Sequence, residues 1–359
     1  MRILYIAKYS PSMDPGVHNK VREFLSELQK MGYDNESLVL APSMRPLQLV
    51  KSVWLKLFSS NCDYVIIRSL GILDLFSMPA IFYLRLRKVF VILELPVPRR
   101  ISYNEQMIFR YGISRLRFVV LHYLSGPWVF WPYSRIIQYS DESFYFSIFC
   151  KKKTRLIGNG ISSKRFPIRN INYKWPTNVL KLIGVGNLSR HHGFDRIVKA
   201  VGIWNTRENS LKLEFSIVGN GTERKNLENL VDSLNLSDCI FFLGLKNTNE
   251  LNELYSSHHL AVSSLGLFRT CLSTSSVLKA REYCLVGIPF IAAGNDPDFV
   301  DSCPFRYVVE NDDEVESILI QIKSFLENYN FYSNDDIRNY AVNNLSIKSR
   351  ILSFGIKEL

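Results

Sequence analysis

The chain alternates short apolar runs with amphipathic segments from its first residues onward. The apolar runs are rich in β-branched residues, which predicts buried strands. Between them apolar positions recur at helical spacing, as at 20–32 and 47–58. The strands expected in this half are residues 2–7, 36–41, 63–69, 89–95 and 135–140. Strands that alternate with helices indicate a parallel sheet with helices on both faces.

The same alternation restarts after a polar stretch at 151–178, which we interpret as a linker. The strands expected in the second half are residues 179–186, 211–221, 239–244, 260–265 and 288–294. A last helix is expected at 315–329. The sequence therefore predicts an α/β protein of two Rossmann-like doubly wound domains, which face each other across a cleft. We expect them at 1–170 and 171–335, followed by a tail at 336–359 that is helical and packs back toward the first domain.

The charge balance points to an anionic partner. The 359 residues carry a formal net charge of +11, and 47% of them are hydrophobic, as in a well-packed globular protein. Eight basic residues between Arg85 and Arg117 are interleaved with bulky apolar ones. Such a segment is typical of an element that rests on an anionic membrane, and equally of a helix with one buried and one solvated side.

Three further features suggest a cytoplasmic protein. The six cysteines are scattered without a CxxC pair, which favours free thiols in a reducing compartment. The first residues enter a strand directly and lack the pattern of a signal peptide. The most apolar window, 117–134, contains His, Gly and two Pro, so we expect no membrane-spanning helix.

The turn at 184–196, "GVGNLSRHHGFDR", lies between a predicted strand and a predicted helix. Helix N-termini at the ends of parallel strands bind anions, and this turn adds cationic and amide side chains. Its candidate ligands for a phosphate are Asn187, Arg190, His192, Gly193 and Arg196. Arg196 could reach a phosphate or lock Asp195. The alternatives are that His192 only caps the helix and that Arg196 only forms a structural ion pair. Because the six histidines lack zinc-ligand spacing and "GNDPDF" at 294–299 is interpreted as a turn, we expect no metal.

In this order, the segments resemble the GT-B glycosyltransferases of the retaining family 4 group, over nearly the whole chain. The resemblance rests on "MRILYIAKYSP…PGVHNK", "NGISSKRF", "VGNLSRHHGFDRIVKA", "FSIVGNG", "FLGLKNTNELNELY" and "SSVLKAREYCLVGIPFI". Two positions depart from that pattern. Asn187 and His192 stand where the family usually has Arg and Lys, and Thr274 replaces the first acid of a paired-glutamate motif. These departures are similar to a subgroup of bacterial capsule and O-antigen enzymes.

The resemblance implies transfer of a sugar from a nucleotide-sugar donor, with retention of configuration, to a glycan or lipid-linked acceptor at the inner face of the cell membrane. Glu282 would bind the ribose, Lys279 would face the phosphates, and the base would lie near 243–245. Glu94 would orient the sugar or take the acceptor proton. His18 would lie beside Gly16 on the acceptor side. The other donor-binding candidates are Gly16 (also on the acceptor side), Gly219, Asn220, Gly221, Ser275 and Ser276.

Several of these assignments have plain structural alternatives. Lys279 and Glu282 can form a surface ion pair, Glu94 can be a structural carboxylate, and Gly219–Gly221 can be an ordinary turn. We expect no cofactor beyond the co-substrate. The alternatives to a transferase are a non-catalytic GT-B scaffold or partner subunit and a nucleotide-sugar epimerase or hydrolase. Nucleic-acid binding lacks any recognisable module.

Overall fold

The structure is a computed structural model that describes residues 1–12, 14–108, 110–141, 150–170, 178–207, 210–299 and 303–357. The chain divides into two compact units. Unit 1 comprises residues 1–157 and 347–359, and unit 2 comprises residues 158–346. The chain thus enters unit 2 thirteen residues before the expected boundary at 170/171. The expected tail is divided between the units, since residues 336–346 belong to unit 2.

Unit 1 contains one parallel sheet of six strands in the order β2-β1-β3-β4-β5-β6. The strands are β1 (Arg2–Lys8), β2 (Asp34–Leu40), β3 (Tyr64–Arg68), β4 (Phe90–Leu95), β5 (Arg135–Gln138) and β6 (Thr154–Leu156). The helices are α1 (Pro15–Lys30), α2 (Pro46–Ser59), α3 (Asp74–Leu86), α4 (Arg99–Ile108) and α5 (Gly112–Leu124). All five strands expected here are present, and β6 lies in the stretch interpreted as a linker.

Unit 2 contains a second parallel sheet in the order β12-β11-β10-β7-β8-β9. Its strands are β7 (Val179–Val185), β8 (Lys212–Val218), β9 (Ile240–Gly244), β10 (Leu260–Val262), β11 (Phe290–Ala293) and β12 (Arg306–Val309). Its helices are α6 (Phe194–Arg207), α7 (Arg224–Ser233), α8 (Thr248–Ser257), α9 (Leu278–Val286), α10 (Glu316–Asn328) and α11 (Asn334–Asn344). The last helix of the chain, α12 (Ile347–Ser353), belongs to unit 1. The prediction of two Rossmann-like domains is confirmed.

Each sheet is covered on both faces, which is why its strands are nearly continuous apolar runs. In β1 the side chains alternate: Leu4 and Ile6 join the core under α2 and α3, whereas Ile3 and Tyr5 join the core under α1 and α12. The second core contains Phe24 of α1 and Phe354 just after α12, whose rings lie 5.2 Å apart. The face of the unit 1 sheet that α1 and α12 cover is therefore completed by residues from both ends of the sequence.

The stretch at 151–178 is largely ordered where the structure describes it. Residue Ile161 forms a bridge with Ser346, and Arg169 is buried and donates hydrogen bonds to the carbonyl oxygens of Tyr255 and His258. The boundary between the units, at 157/158, falls within this stretch, as expected of a linker, but the residues after it are packed into unit 2. Arg169 is a polar residue of the stretch whose hydrogen bonds are internal rather than to solvent.

Candidate active site

The candidate site lies where the strand order of unit 2 changes direction, between β7 and β10. From β7 the chain builds outward to β8 and β9, and then returns to place β10 on the other side of β7. The loops that leave the carboxyl ends of β7 and β10 therefore meet at one crevice, which is the usual ligand position in such sheets. The loop after β7 carries the turn at 186–193, and the loop after β10 leads to α9.

These two loops are held together by backbone contacts. The N–H of Leu265 donates to the carbonyl oxygen of His192 over 2.9 Å, and the N–H of Gly266 donates to that of His191 over 3.1 Å. Gly193 adopts a left-handed conformation with φ +64°, and a Cβ there would lie 2.7 Å from the nitrogen of Gly266. Gly193 is thus required for close packing of the two loops, which is a structural role rather than the predicted donor contact.

Lys279 is a buried cation beside the first glycine of the turn. A Cβ atom at Gly186 would lie 3.3 Å from Nζ of Lys279 and 3.1 Å from Nε2 of His192. The ammonium is buried and has no hydrogen-bond partner among the described residues. Its burial lowers the pKa of Lys279 to about 7, against the opposing charge of Glu282. A buried cation without a partner is costly, and such a group is expected where an anion binds.

His192 is neutral and presents a donor to the same place. Burial, and then the neighbouring Lys279, lower the pKa of His192 far below its usual range. The backbone N–H of Ser189 donates to Nδ1 over 3.3 Å, so a neutral His192 carries its proton on Nε2. Nε2 is the atom nearest Gly186. The structure therefore favours a neutral hydrogen-bond donor over a charged one.

Glu282 and the two serines lie around the same helix. Glu282 is one turn from Lys279 and pairs with Arg165 over 2.9 Å, with its side chain 12% exposed. The hydroxyl of Ser276 accepts from the N–H of Asn159 over 2.6 Å, and the N–H of Ser275 donates to Asn295. Because α9 begins only at Leu278, neither serine supplies a helix N-terminal N–H, contrary to expectation.

The Gly219–Gly221 turn packs directly against the turn that follows β7. Gly219 has φ +126°, and a Cβ there would lie 1.9 Å from the carbonyl oxygen of Gly186. The N–H of Leu188 donates to Asn220 over 2.8 Å, and a Cβ at Gly221 would lie 2.3 Å from the oxygen of Leu188. Both glycines therefore serve contact between two backbones. Of the remaining candidates, Asn187, Arg190 and Asn220 are exposed.

Arg196 is a structural residue whose guanidinium pairs with Asp312 over 3.3 Å, which confirms the alternative of a structural ion pair and corrects the predicted contacts with phosphate and with Asp195. It is fully buried and donates to the carbonyl oxygens of Leu265 and Glu310 over 2.7 and 3.2 Å. Asp195 instead pairs with Arg269, over 2.7 Å at each of two nitrogen–oxygen contacts. Because these contacts hold the Arg196 guanidinium in the interior of unit 2, its charge does not reach a ligand at the surface.

Comparison with known proteins identifies the chemistry of this chain. Residues 170–343 match the family model described as glycosyl transferases group 1. A glycosyltransferase from Rickettsia africae ESF-5 superposes with a TM-score of 0.65 at 15% identity, over 98% of this chain and 97% of that chain. The protein is a glycosyltransferase.

Two further structures place this glycosyltransferase in the GT-B fold. HepE from Anabaena, in a complex with UDP, has a TM-score of 0.64 at 16% identity over 100% of both chains. WaaG, described as a glycosyltransferase involved in lipopolysaccharide biosynthesis, has a TM-score of 0.63 at 13% identity over 99% of both chains. No match is found among curated proteins.

In unit 1 of the glycosyltransferase, Glu94 is the centre of a buried ionic network. Its carboxylate accepts from Lys20 over 3.1 Å, from Arg68 over 2.9 Å, and from the hydroxyls of Tyr5 and Tyr139. Burial opposes its ionisation, but Lys20, Arg68 and the hydroxyls together lower the pKa of Glu94 to about 2. The alternative of a structural carboxylate is thus favoured, because such an acid is a poor proton acceptor near neutral pH.

The acceptor-side candidates lie on the first turn of α1, which begins at Pro15 rather than at the predicted residue 20. Gly16 is exposed and helical, and a Cβ there would meet no atom within 4 Å. The space beside Gly16 is therefore open, and its approach to a sugar or acceptor stays a prediction. The Nδ1 atom of His18 lies 3.4 Å from the hydroxyl of Tyr9.

A cavity of about 590 Å³ opens at the carboxyl ends of β1, β3 and β4 in unit 1. Its lining combines cationic and aromatic side chains, among them Lys8, Arg99, Tyr103, Phe118 and His122. Tyr103 and His122 belong to the basic aromatic region but do not stand out in the sequence pattern as functional candidates. Their signal was present in the sequence, but only the fold shows that α4 and α5 turn these side chains toward one space.

Among the described residues, no three His, Cys, Asp or Glu side chains converge in a way that suits a metal ion. Every helix in the described part of the chain is too short or too polar to cross a lipid bilayer.

Proposed function

We propose that this glycosyltransferase moves a sugar from a nucleoside diphosphate sugar to a glycan or lipid-linked acceptor, with retention of anomeric configuration, in bacterial capsule or O-antigen synthesis. One observation carries the proposal. The ammonium of Lys279 is buried without a hydrogen-bond partner among the described residues, next to a donor nitrogen of His192. A diphosphate would supply the missing partner for both groups.

The chemistry explains why an anion site of this kind is useful. The bond between the anomeric carbon and a diphosphate oxygen breaks, and its electron pair leaves with the diphosphate. An acceptor hydroxyl oxygen forms the new bond to that carbon and releases its proton. Lys279 and Nε2 of His192 would stabilise the charge that develops on the leaving group. Their positions are already fixed by packing, so no rearrangement is required.

The nucleotide would extend from the diphosphate toward Glu282. Its carboxylate accepts hydrogen bonds, as two ribose hydroxyls require, and lies on the same helix as Lys279. The Anabaena protein HepE, which shares the fold, is described in complexes with UDP and with UDP-glucose. These complexes support a nucleoside diphosphate sugar as the class of donor and leave the base and sugar of this enzyme to experiment.

The acceptor would occupy the cavity of unit 1. Lys8 and Arg99 suit a phosphate, and the rings of Tyr103 and Phe118 suit the apolar face of a sugar. WaaG, the neighbour described as involved in lipopolysaccharide biosynthesis, supports a glycan-building role. We further propose that the protein works without a metal and attaches peripherally to the cytoplasmic face of the membrane. Activity that survives excess EDTA would support the first of these statements.

The test is a thermal-stabilisation screen with UDP, GDP, CDP and dTDP sugars. Binding to the native state raises the melting temperature, by an amount that grows with ligand concentration. We expect one donor class to stabilise the wild type and to lose most of its effect on Lys279→Met and Glu282→Ala. The matched control is Lys225→Met, because Lys225 is an exposed lysine on α7 of the same unit.

Three outcomes are distinguishable. Stabilisation of the wild type and of Lys225→Met, but not of Lys279→Met, supports the assigned site. Equal stabilisation of all variants would show that Lys279 and Glu282 do not bind the donor. If no nucleotide sugar stabilises the wild type, the proposed donor class and its binding site both fail. The anomeric configuration of the product, read by NMR, then tests retention.

A further inference from the structure

Helix α5 (Gly112–Leu124) packs against Tyr103 of α4 through the rings of Phe118 and His122. Phe118 is the buried residue of the helix, and its ring is stacked on Tyr103 with 5.6 Å between centroids. The guanidinium of Arg110 lies 4.1 Å from the centroid of the Phe118 ring. The inner face of α5, with Phe118 and His122, lines the cavity described above.

The opposite face of α5 is apolar and exposed. Five large side chains on this face are exposed: Ile113 by 71%, Leu116 by 65%, Val120 by 49%, Tyr123 by 75% and Leu124 by 53%. Their spacing places them within an arc of about 100° that is centred opposite Phe118. We call these five residues the outer stripe. A contiguous apolar stripe in water generally marks a surface that binds something.

Three aromatic residues that precede or follow the helix in the sequence are also exposed. Tyr111, just before α5, is 78% exposed, and Trp128 and Trp131, shortly after it, are 41% and 60% exposed. Tyrosine and tryptophan are enriched at membrane surfaces because each combines an apolar ring with a polar tip.

The charges around the outer stripe select an anionic partner. From residue 106 to residue 140 the sequence contains no Asp or Glu, whereas it contains Arg110, Arg115, Arg117 and Arg135. Arg115 and Arg117 lie on α5 itself and are exposed. A second copy of this chain would bring the same positive charges against each other. An anionic lipid surface instead accepts both the arginines and the apolar side chains.

We infer that the outer stripe of α5 inserts into the headgroup region of an anionic membrane, with Arg117, at the edge of the stripe, on the lipid phosphates. Arg115 lies toward the Phe118 side of the helix and adds longer-range attraction to the anionic surface. This inference deepens the proposed function, because it specifies the surface through which the enzyme reaches a lipid-linked acceptor. It also differs from the sequence-based expectation for residues 85–117. In the structure, Arg85 donates to Ser134 over 2.7 Å and Arg99 to Ser125 over 2.9 Å, so part of that basic set serves internal contacts.

The experiment is vesicle flotation of the full chain without donor or acceptor. We expect binding to equimolar phosphatidylcholine and phosphatidylglycerol vesicles, weaker binding at high salt, and little binding to phosphatidylcholine alone. The triple variant Ile113→Ser, Leu116→Ser, Val120→Ser should bind at least about ten-fold more weakly, since three apolar side chains no longer leave water. Arg115→Gln with Arg117→Gln should remove most of the salt dependence.

The matched control changes two exposed apolar residues elsewhere, Leu47→Ser and Ile320→Ser, which are 84% and 57% exposed in the wild type. It should bind vesicles as the wild type does. The inference is overturned if the triple variant binds like the wild type, if the wild type does not prefer anionic vesicles, or if light scattering shows a dimer that the triple variant dissociates.

Failure of this inference and failure of the proposed function are separable. The triple variant should keep the full nucleotide-sugar thermal shift, which also shows that it is folded. Lys279→Met should keep vesicle binding and lose that shift.

Discussion

Lys279 and His192 direct their terminal nitrogens at the same glycine. A Cβ atom at Gly186 would lie within 3.3 Å of Nζ of Lys279 and within 3.1 Å of Nε2 of His192, although the two residues are far apart in the sequence. One belongs to the loop after β7 and the other to the helix after β10. The reversal of strand order between these strands is what brings a cation and a neutral donor to one point.

The first prediction concerns the stability of the free enzyme. The folded-state pKa of Lys279 is about 7, whereas its ordinary value is 10.5. Between these values the unfolded chain binds more protons, so wild-type stability rises with pH from about 7 to about 10. Lys279→Met should be more stable than the wild type below pH 7, with a difference that shrinks toward pH 10. Urea unfolding across this range measures the difference.

Lys225→Met is the control, since its exposed lysine should leave the pH profile unchanged. If the unfolding free energy of Lys279→Met changes with pH in parallel with that of the wild type, the ammonium of Lys279 is exposed to water rather than buried.

The second prediction concerns donor binding. A bound diphosphate raises the pKa of Lys279, so binding above pH 7 should take up a proton, and affinity should fall as pH rises through that range. Calorimetry at pH 8 in two buffers of different ionisation enthalpy measures this proton directly. Lys279→Met should lose the uptake together with about ten- to hundred-fold in affinity, which corresponds to a charge-assisted hydrogen bond. Equal proton uptake by both proteins would assign it to another group.

The third prediction concerns the contact between the two glycine turns. Gly219→Ala places a methyl group 1.9 Å from the carbonyl oxygen of Gly186, at a φ of +126° that alanine rarely adopts. We expect a loss of at least about 2 kcal/mol in unfolding free energy. Gly16→Ala is the control: nothing lies within 4 Å, and it should change stability by less than about 1 kcal/mol. A small loss of unfolding free energy in Gly219→Ala would mean that the two turns can move apart at little cost.

The fourth prediction tests whether Glu94 is structural. Glu94→Gln leaves Lys20 and Arg68 buried without their counter-charge, which should cost about 3 kcal/mol at neutral pH. In the wild type this contribution is present above the ordinary pKa of 4.5 and is lost as pH falls toward 2. Chemical denaturation at pH 7 and pH 3 measures both effects.

Glu36→Gln is the comparison, because the Glu36 side chain is 62% exposed in its pair with Lys56. If Glu94→Gln keeps wild-type stability but loses turnover, the catalytic role is restored.

The fifth prediction concerns Arg281, which is fully buried on α9 between Asp296 and Asp298. Arg281→Met removes the cation that lies between two buried carboxylates and should cost about 3 to 5 kcal/mol. Arg224→Met, which removes a half-exposed pair with Glu228, should cost less than about 1 kcal/mol. Similar losses in the two variants, read from denaturant midpoints, would contradict the structural role assigned to this network.

The strand pattern was predictable because buried parallel strands are continuous apolar runs. All ten expected strands are present, whereas β6 and β12 were missed, at three and four residues each. Lys279 and His192 were also proposed from the sequence, since their loops follow neighbouring strands. Their placement beside one glycine is a property of the folded chain.

The misassigned residues share one physical cause. Arg196 and Glu94 are charged, and charged residues are expected at surfaces or in sites. Both are instead buried with partners distant in the sequence, namely Leu265 and Glu310 for Arg196, and Lys20 and Arg68 for Glu94. The polar pattern of the sequence does not distinguish a charge that awaits a ligand from one already satisfied by the fold.

The placement of α12 has a consequence for biosynthesis. Ile351 and Phe354 complete a core that Phe24 begins, so unit 1 closes only after the ribosome has translated the segment at 347–356. Unit 2 is an uninterrupted stretch of chain and can assemble first. The nascent amino-terminal half therefore emerges with an uncovered apolar face, and the donor-binding half matures before it.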